Sequence, residues 1–94
     1  MRNYSKKWIY GKTVVITGAS SGIGFSLARI LADKFNCKVI GIARNEKKLL
    51  EHAETLEKKE NFSYKLFDVN DFNAWENFLL ELENSKIQVD VLIN

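Results

Sequence analysis

Hydrophobic and polar positions follow two alternating patterns along this chain. Nearly continuous apolar runs occupy residues 13–17, 38–43 and 89–93, and a more mixed run occupies residues 63–67. Such runs, rich in β-branched residues, are typical of parallel strands that are covered on both faces. Between them, apolar residues recur every three or four positions, which is the spacing of amphipathic helices. The alternation predicts an α/β fold with the element order β-α-β-α-β-α-β and right-handed crossovers.

Three helices are predicted, each with one apolar face. The first runs from residue 23 to 35, the second from residue 46 to 59, and the third begins near residue 73. The residues expected to face the core are, in chain order, Ile23, Leu27, Ala28, Leu31 and Phe35; Leu49, Leu50, Ala53 and Leu56; and Trp75, Phe78, Leu79 and Leu82. His52 lies in the charged second helix and is expected to be solvated.

Two polar features refine this prediction. Lys65 falls in the middle of the third strand, which suits a sheet edge, where a charge discourages unwanted pairing. Asn73, with Glu76 three residues later, fits the N-cap of the third helix, and Asn70 and Asp71 are equally suitable first residues.

Composition indicates one small globular domain. The chain has 94 residues, of which 46% are hydrophobic and 28% are charged. Its single cysteine, Cys37, excludes an internal disulfide and is expected to be buried. No apolar stretch approaches the about 20 residues of a membrane span, and the apolar stretch after the basic segment 1–7 is too short for a signal peptide. A cytoplasmic location without a membrane partner is therefore expected.

Charge is unevenly distributed, although the formal net charge is only +2. Residues 1–48 carry ten lysines and arginines against two acidic residues, whereas residues 68–94 carry one against six. The basic residues are dispersed and no nucleic-acid-binding motif accompanies them, so nucleic acid is not an expected partner. A small anionic ligand bound by the first half explains the bias, and so do solvated lysines without any ligand.

A glycine-rich segment joins the first predicted strand to the first helix. Residues 17–24 read Thr-Gly-Ala-Ser-Ser-Gly-Ile-Gly and place Gly18, Gly22 and Gly24 in the spacing G-x-x-x-G-x-G. Such glycines allow a sharp turn and a close approach of a pyrophosphate to the free N–H groups of a helix. Ser20 and Ser21 add hydroxyl donors. The alternative is a glycine-rich turn without a ligand, but the position between a buried strand and an amphipathic helix favours nucleotide binding.

Three motifs, in the same order and spacing, resemble those of the short-chain dehydrogenase/reductase family. They are the glycine segment 17–24, the pair Asp68-Val69 after the third strand, and residues 90–94, which read Asp-Val-Leu-Ile-Asn. The resemblance implies a Rossmann-like three-layer sandwich in which four parallel strands lie in the order 3-2-1-4 with three helices. It also implies that residues 1–94 are the N-terminal, cofactor-binding part of a single domain.

The resemblance further implies a nicotinamide dinucleotide as the partner. The residues that bind it would be Gly18, Ser20, Ser21, Gly22, Ile23 and Gly24 in the glycine segment, Asp68 at the adenine amino group, Val69 in the adenine pocket and Asn94 beside the adenosine ribose. Ala43 occupies the position of the acid that selects NAD, and the basic residue of NADP-binding members follows at Arg44. NADP(H) is therefore expected in preference to NAD(H), unless Arg44 is simply a solvated residue near a helix start.

The chemistry of the family is hydride transfer between the nicotinamide and a carbonyl or alcohol, with a serine and a Tyr-x-x-x-Lys pair among the catalytic residues. None of Tyr4, Tyr10 and Tyr64 has a lysine four positions later. We therefore expect that the catalytic C-terminal part is absent, that the chain has no catalytic or metal-binding residues, and that alone it is inactive. The fourth strand would then be an exposed edge, open to pairing with a second copy. The alternatives are a standalone nucleotide-binding or partner-dependent interaction module and a remnant without a ligand.

Overall fold

Four parallel strands form the centre of the protein. The computed structural model describes residues 8–94, so the basic segment 1–7, which includes Tyr4, lies outside the described residues. The strands are β1 (Thr13–Thr17), β2 (Lys38–Ala43), β3 (Phe62–Leu66) and β4 (Val91–Ile93). They lie in the order β3-β2-β1-β4, which confirms the predicted strand order.

Three α-helices connect the strands. They are α1 (Gly22–Arg29), α2 (Glu46–Ala53) and α3 (Phe72–Asn84). A π-helical turn (Ile30–Lys34) continues α1, and a 3₁₀ turn (Lys59–Asn61) precedes β3. Within residues 8–94, none of the helices is both long and apolar enough to cross a membrane. The predicted α/β architecture is confirmed.

Each face of the sheet has its own apolar core. The core beneath α1 and α2 contains Val14, Ile16, Phe25, Ala28 and Leu49, and the core beneath α3 contains Val15, Ile40, Ile42, Phe78 and Leu82. Because successive side chains of a strand point to opposite faces, neighbouring residues of β1 are buried in different cores. This arrangement explains why the apolar run of β1 is continuous.

The apolar faces of the helices are narrower than the sequence pattern predicts. Ile23 is 88% exposed, because α1 begins at Gly22 and its first turn lies at the end of β1. Phe25 is the first buried side chain of the helix instead. Leu50 of α2 and Leu79 of α3 are also exposed, so the prediction that they face the core is wrong.

The second helix ends earlier than predicted, at Ala53. Beyond it, the carboxylate of Asp33 accepts hydrogen bonds from the N–H groups of Glu57, at 3.2 Å, and Lys58, at 2.9 Å. Asp33 lies in the π-helical turn that continues α1, and its carboxylate therefore satisfies backbone N–H groups of the turn that follows α2. The turn still carries Leu56 into the core.

Two predicted strand boundaries are also shifted. The third strand begins one residue earlier than expected, at Phe62, and ends at Leu66. The fourth begins at Val91 instead of residue 89. Immediately before it, the carboxylate of Asp90 accepts a hydrogen bond from the Thr13 N–H at 2.9 Å, so a side chain provides the acceptor at the start of this strand pair.

Two side chains near the first core illustrate what burial does to polar groups. His52 is not solvated as predicted: its ring stacks on Phe25 with a centroid distance of 4.8 Å, and its buried Nε2 has no hydrogen-bond partner within residues 8–94. Cys37 is buried as predicted, and burial raises the pKa of its thiol. The thiol donates to the Ile9 carbonyl at 3.2 Å.

Polar contacts hold the edge strand β3. Lys65 forms an ion pair with Glu81 of α3, and its position at the sheet edge is as predicted. Asn61, the last residue of the 3₁₀ turn before this strand, is 4% exposed. Its amide donates to the Ala32 carbonyl at 3.0 Å and accepts from the Lys38 ammonium at 2.6 Å, so a buried polar side chain is satisfied from two neighbouring elements.

The third helix is capped by Asp71. Its Oδ1 accepts a hydrogen bond from the Ala74 N–H at 3.1 Å, and the helix begins at Phe72. The Asn73 cap is therefore wrong, and the alternative at Asp71 is confirmed.

The two candidate caps provide a matched pair of variants. Asp71→Ala is expected to lower the free energy of unfolding by about 1 kcal/mol, because it removes the N-cap acceptor. Asn73→Ala is expected to change it by less than about 0.5 kcal/mol, because Asn73 lies inside the helix, where alanine is the better helix former. Urea denaturation followed by circular dichroism measures both, and equal losses would contradict the position of the cap.

Candidate functional site

A cavity of about 400 Å³ opens where β1, β2 and β3 end. Parallel strands end at the same edge of a sheet, so the loops that follow them come together there. The lining residues are Gly18, Ser20, Ala43, Arg44, Asn45, Phe67, Asp68, Val69 and Asn70. The structure therefore brings together, in one cavity, the predicted residues Gly18, Ser20, Arg44, Asp68 and Val69.

The turn between β1 and α1 is closed by Ser21. Its hydroxyl donates to the Gly18 carbonyl at 2.8 Å and accepts from the Gly24 N–H at 3.0 Å, which makes Ser21 the N-cap of α1. Gly18 has a φ of +65°, a left-handed conformation that favours glycine. The hydroxyl of Ser21, predicted as a donor to a ligand, is thus engaged within the turn, whereas Ser20 lines the cavity.

The glycines of this turn meet different steric requirements. A Cβ atom on Gly24 would overlap the Gly18 carbonyl oxygen, so Gly24 allows α1 to lie close against the end of β1. A Cβ atom on Gly22 would have no heavy atom of the described protein within 4 Å beyond its chain neighbours and its own helix. Packing within the protein therefore explains the glycine at position 24 and gives no reason for the one at position 22.

The first turn of α1 faces out of the fold with free polar groups. Within residues 8–94, the N–H groups of Gly22 and Ile23 have no hydrogen-bond acceptor, and the turn contains no acidic residue. The unpaired N–H groups and the helix dipole make such an end favourable for an anion.

Arg44 and Asp68 meet across the mouth of the cavity. The Nη1 atom of Arg44 donates to Oδ2 of Asp68 at 3.3 Å, and the two side chains are 76% and 43% exposed. The other carboxylate oxygen of Asp68 accepts from the Asn70 N–H at 2.9 Å. The sequence predicts separate roles for Arg44 and Asp68, but the structure joins them.

Asn94 lies outside the cavity lining, at the end of β4. Its Oδ1 accepts a hydrogen bond from the Thr17 hydroxyl at 2.7 Å, which ties the end of β4 to the end of β1. Ser21, Gly22, Ile23 and Gly24 also do not line the cavity. They form the adjoining end of α1.

Sequence reasoning missed three lining residues: Asn45, Phe67 and Asn70. Asn45 caps α2 by accepting from the Lys48 N–H at 3.1 Å. All three directly precede or follow a predicted site residue, and this adjacency is the signal in the sequence that points to them.

The beginning of α2 is fixed from the neighbouring strand. The hydroxyl of Tyr64 donates to Oε2 of Glu46 at 3.0 Å, and this hydrogen bond raises the pKa of Tyr64. Glu46 is the first residue of α2 and follows the lining residues Arg44 and Asn45 directly.

The described part of the chain contains no group of three His, Cys, Asp or Glu side chains that could hold a metal ion.

Comparison with known proteins assigns the chain to a family. A family model described as short chain dehydrogenase matches residues 12–94. The chain belongs to the short-chain dehydrogenase family. An NADP-dependent 3-hydroxy acid dehydrogenase of Schizosaccharomyces pombe is 41% identical over 87 residues, which are 89% of this chain and 33% of the relative. The resemblance inferred from the three motifs is therefore confirmed.

Two solved structures extend the comparison. A short chain dehydrogenase from Bacillus anthracis superposes with a TM-score of 0.77 at 26% identity, over 89% of this chain and 35% of the other. L-Sorbose reductase from Gluconobacter frateurii, solved in complex with NADPH and L-sorbose, gives a TM-score of 0.75 at 31% identity, over 92% and 33%. This short-chain dehydrogenase chain spans about a third of the length of these relatives.

The two glycines provide a test of the close packing. Gly24→Ala is expected to lower the free energy of unfolding by about 1–3 kcal/mol, because the new methyl group forces α1 away from the Gly18 carbonyl. Gly22→Ala is the control and is expected to leave the stability unchanged or slightly higher, since the methyl group meets open space. Urea denaturation measures both, and a larger loss for Gly22→Ala would contradict this description of the turn.

Proposed function

We propose that this chain binds the adenosine half of NADP(H) in the cavity and is the cofactor-binding part of an oxidoreductase. The observation that carries the proposal is the position of Arg44 in the lining of the cavity beside Ala43, in a cavity that Ser20, just before α1, also lines. In the complete reaction, the nicotinamide would exchange a hydride with a carbonyl or alcohol substrate. The NADP-dependent dehydrogenase of S. pombe and the NADPH complex of L-sorbose reductase support this choice of cofactor.

The phosphates would bind at the start of α1. The N–H groups of Gly22 and Ile23 are donors without an acceptor in the described chain, and Ser20 lines the adjoining cavity. The absence of a Cβ atom on Gly22 serves no packing purpose within the protein. A ligand that approaches the backbone closely gives that glycine a reason. Gly18, Ser21 and Gly24 would act through the shape of the turn.

The adenosine would lie between the ends of β2 and β3. An arginine binds phosphate through two parallel hydrogen bonds, which makes Arg44 the group for the ribose 2′-phosphate. Asp68 would accept from the adenine amino group, and Val69, which lines the cavity, would contact the ring. The side-chain oxygen of Asn94 already accepts a hydrogen bond from Thr17. The side-chain nitrogen of Asn94 is therefore the group that would contact the ribose.

Proton transfer would depend on groups other than Tyr10 and Tyr64. A tyrosine exchanges a proton at neutral pH when a neighbouring lysine lowers its pKa, and neither Tyr10 nor Tyr64 has a lysine four residues later. We therefore propose that residues 1–94 form the N-terminal cofactor-binding part of a Rossmann domain. On their own they would bind cofactor without turning over a substrate.

Arg44→Ala tests the cofactor assignment. The variant is expected to bind NADP about 10- to 100-fold more weakly, because it loses a charge-assisted pair with the 2′-phosphate, and to bind NAD almost as the unchanged chain does. Isothermal titration calorimetry measures both affinities. Lys47→Ala removes a neighbouring charge that does not line the cavity, and it should leave the ratio of the two affinities unchanged. Equal weakening of NADP binding by both variants would argue against a specific role of Arg44.

The exposed edge at β4 supports a second candidate function, a module that works through a partner strand. Leu92 is 59% exposed, lies on the same face as Val15, and belongs to a strand that is paired on one side only in the described sheet. Unpaired strand edges with exposed apolar residues favour association.

Leu92→Lys tests this second candidate. Sedimentation of the unchanged chain is expected to show association that grows with concentration, and the introduced charge is expected to reduce it. Leu50→Lys, which changes an exposed leucine of α2, is the control and should associate as the unchanged chain does. A chain that remains monomeric at every concentration would exclude association of copies through β4.

A further inference from the structure

Arg44 and Asp68 form a bridge between two walls of the cavity. Arg44 follows β2, Asp68 lies two residues after β3, and their side chains meet at 3.3 Å. Both residues line the same cavity. We call this contact the Arg44–Asp68 bridge. In the proposed function, Arg44 binds the 2′-phosphate of the ligand and Asp68 binds its adenine, so the bridge joins groups that contact different parts of the ligand.

The two partners of the bridge differ in how firmly they are held. Oδ1 of Asp68 accepts from the Asn70 N–H at 2.9 Å, and the Asp68 carbonyl accepts from the Asp71 N–H at 2.8 Å. The carboxylate therefore has a fixed place in its turn, with Oδ2 available to Arg44. The side chain of Arg44 is 76% exposed. Within residues 8–94, its one hydrogen bond is the contact with Asp68. Arg44 is therefore the less constrained partner of the bridge.

We infer that Asp68 is a specificity-determining residue, because its carboxylate competes with the 2′-phosphate of the ligand for Arg44. This inference rests on the proposed function. A phosphate carries more negative charge than a carboxylate and takes both arms of a guanidinium, so it draws Arg44 out of the bridge. The neutral 2′-hydroxyl of an unphosphorylated ribose has no such effect, and the bridge persists in its presence.

The competition reduces the preference for 2′-phosphorylated ligands. Binding of such a ligand includes the loss of the contact between Arg44 and the Asp68 carboxylate. Binding of an unphosphorylated ligand does not include this loss. Arg44 makes the affinity for a 2′-phosphorylated ligand higher than that for an unphosphorylated one. Asp68 reduces this difference, and it does so through its contact with Arg44.

Two adenosine nucleotides isolate this effect. Adenosine 2′,5′-bisphosphate and adenosine 5′-monophosphate differ only in the 2′-phosphate, so the contact of Asp68 with adenine cancels in the ratio of their affinities. Asp68→Asn keeps the acceptor for the Asn70 N–H and removes the charge. In this variant the ratio of bisphosphate to monophosphate affinity is expected to rise about two- to five-fold, which is the usual worth of an exposed ion pair. The rise should shrink at high salt.

Two further variants separate competition from a general effect of charge. Asp71→Asn removes the same charge three residues away and keeps an N-cap acceptor, and it is expected to leave the ratio near that of the unchanged chain. In an Arg44→Ala background, Asp68→Asn is expected to leave the ratio unchanged, because the group for which the carboxylate competes is gone. Calorimetric titration measures each affinity.

The outcomes distinguish this inference from the proposed function. A ratio that is unchanged or lower in Asp68→Asn overturns the competition, even if the unchanged chain binds both nucleotides and prefers the bisphosphate. A rise of equal size in the Arg44→Ala background also overturns it, since Asp68 would then act directly on the phosphate. Failure of the unchanged chain to bind either nucleotide overturns the proposed function and this inference together.

Discussion

The close approach of α1 to the end of β1 is the constraint on which the rest of this structure depends. Gly24 has no side chain to hold the helix away from the Gly18 carbonyl, and the Ser21 hydroxyl joins both residues. This contact determines where α1 begins, and therefore that Phe25 enters the core one residue later. It also leaves the N–H groups at the start of the helix beside the cavity. Packing and site thus follow from the same turn.

Sheet register provides the second half of the site. Ala43 of β2 pairs with Leu66 of β3, and the Phe67 N–H donates to the Ala43 carbonyl at 3.1 Å. Because the two strands end side by side, the residues that follow them emerge at the same level. Arg44 and Asp68 are 24 positions apart in the sequence and still meet. A shift in register would separate them and would also reverse the faces on which the strand residues are buried.

The strands, their order and the glycine turn were predictable because their signals are local, or belong to a family motif. The ends and faces of the helices were not, because they depend on distant partners. α2 stops where Asp33 of another element binds the chain beyond it, and His52 stacks on Phe25 of α1. Asn61 is buried because Ala32 and Lys38 satisfy its amide. These contacts join residues that are distant in the sequence, so the hydrophobic periodicity of a single segment does not predict them.

The contact between Arg44 and Asp68 in the candidate site likewise joins two segments that are distant in the sequence. The sequence predicts that Arg44 binds a phosphate and that Asp68 binds an adenine, each independently of the other. In the structure, one carboxylate oxygen is fixed by the Asn70 N–H and the other faces Arg44, so neither side chain changes its contacts independently of the other. An arginine–phosphate pair with two parallel hydrogen bonds is stronger than the single exposed contact of 3.3 Å between Arg44 and Asp68. In the proposed site, Arg44 therefore determines the direction of the cofactor preference, and Asp68 limits its size.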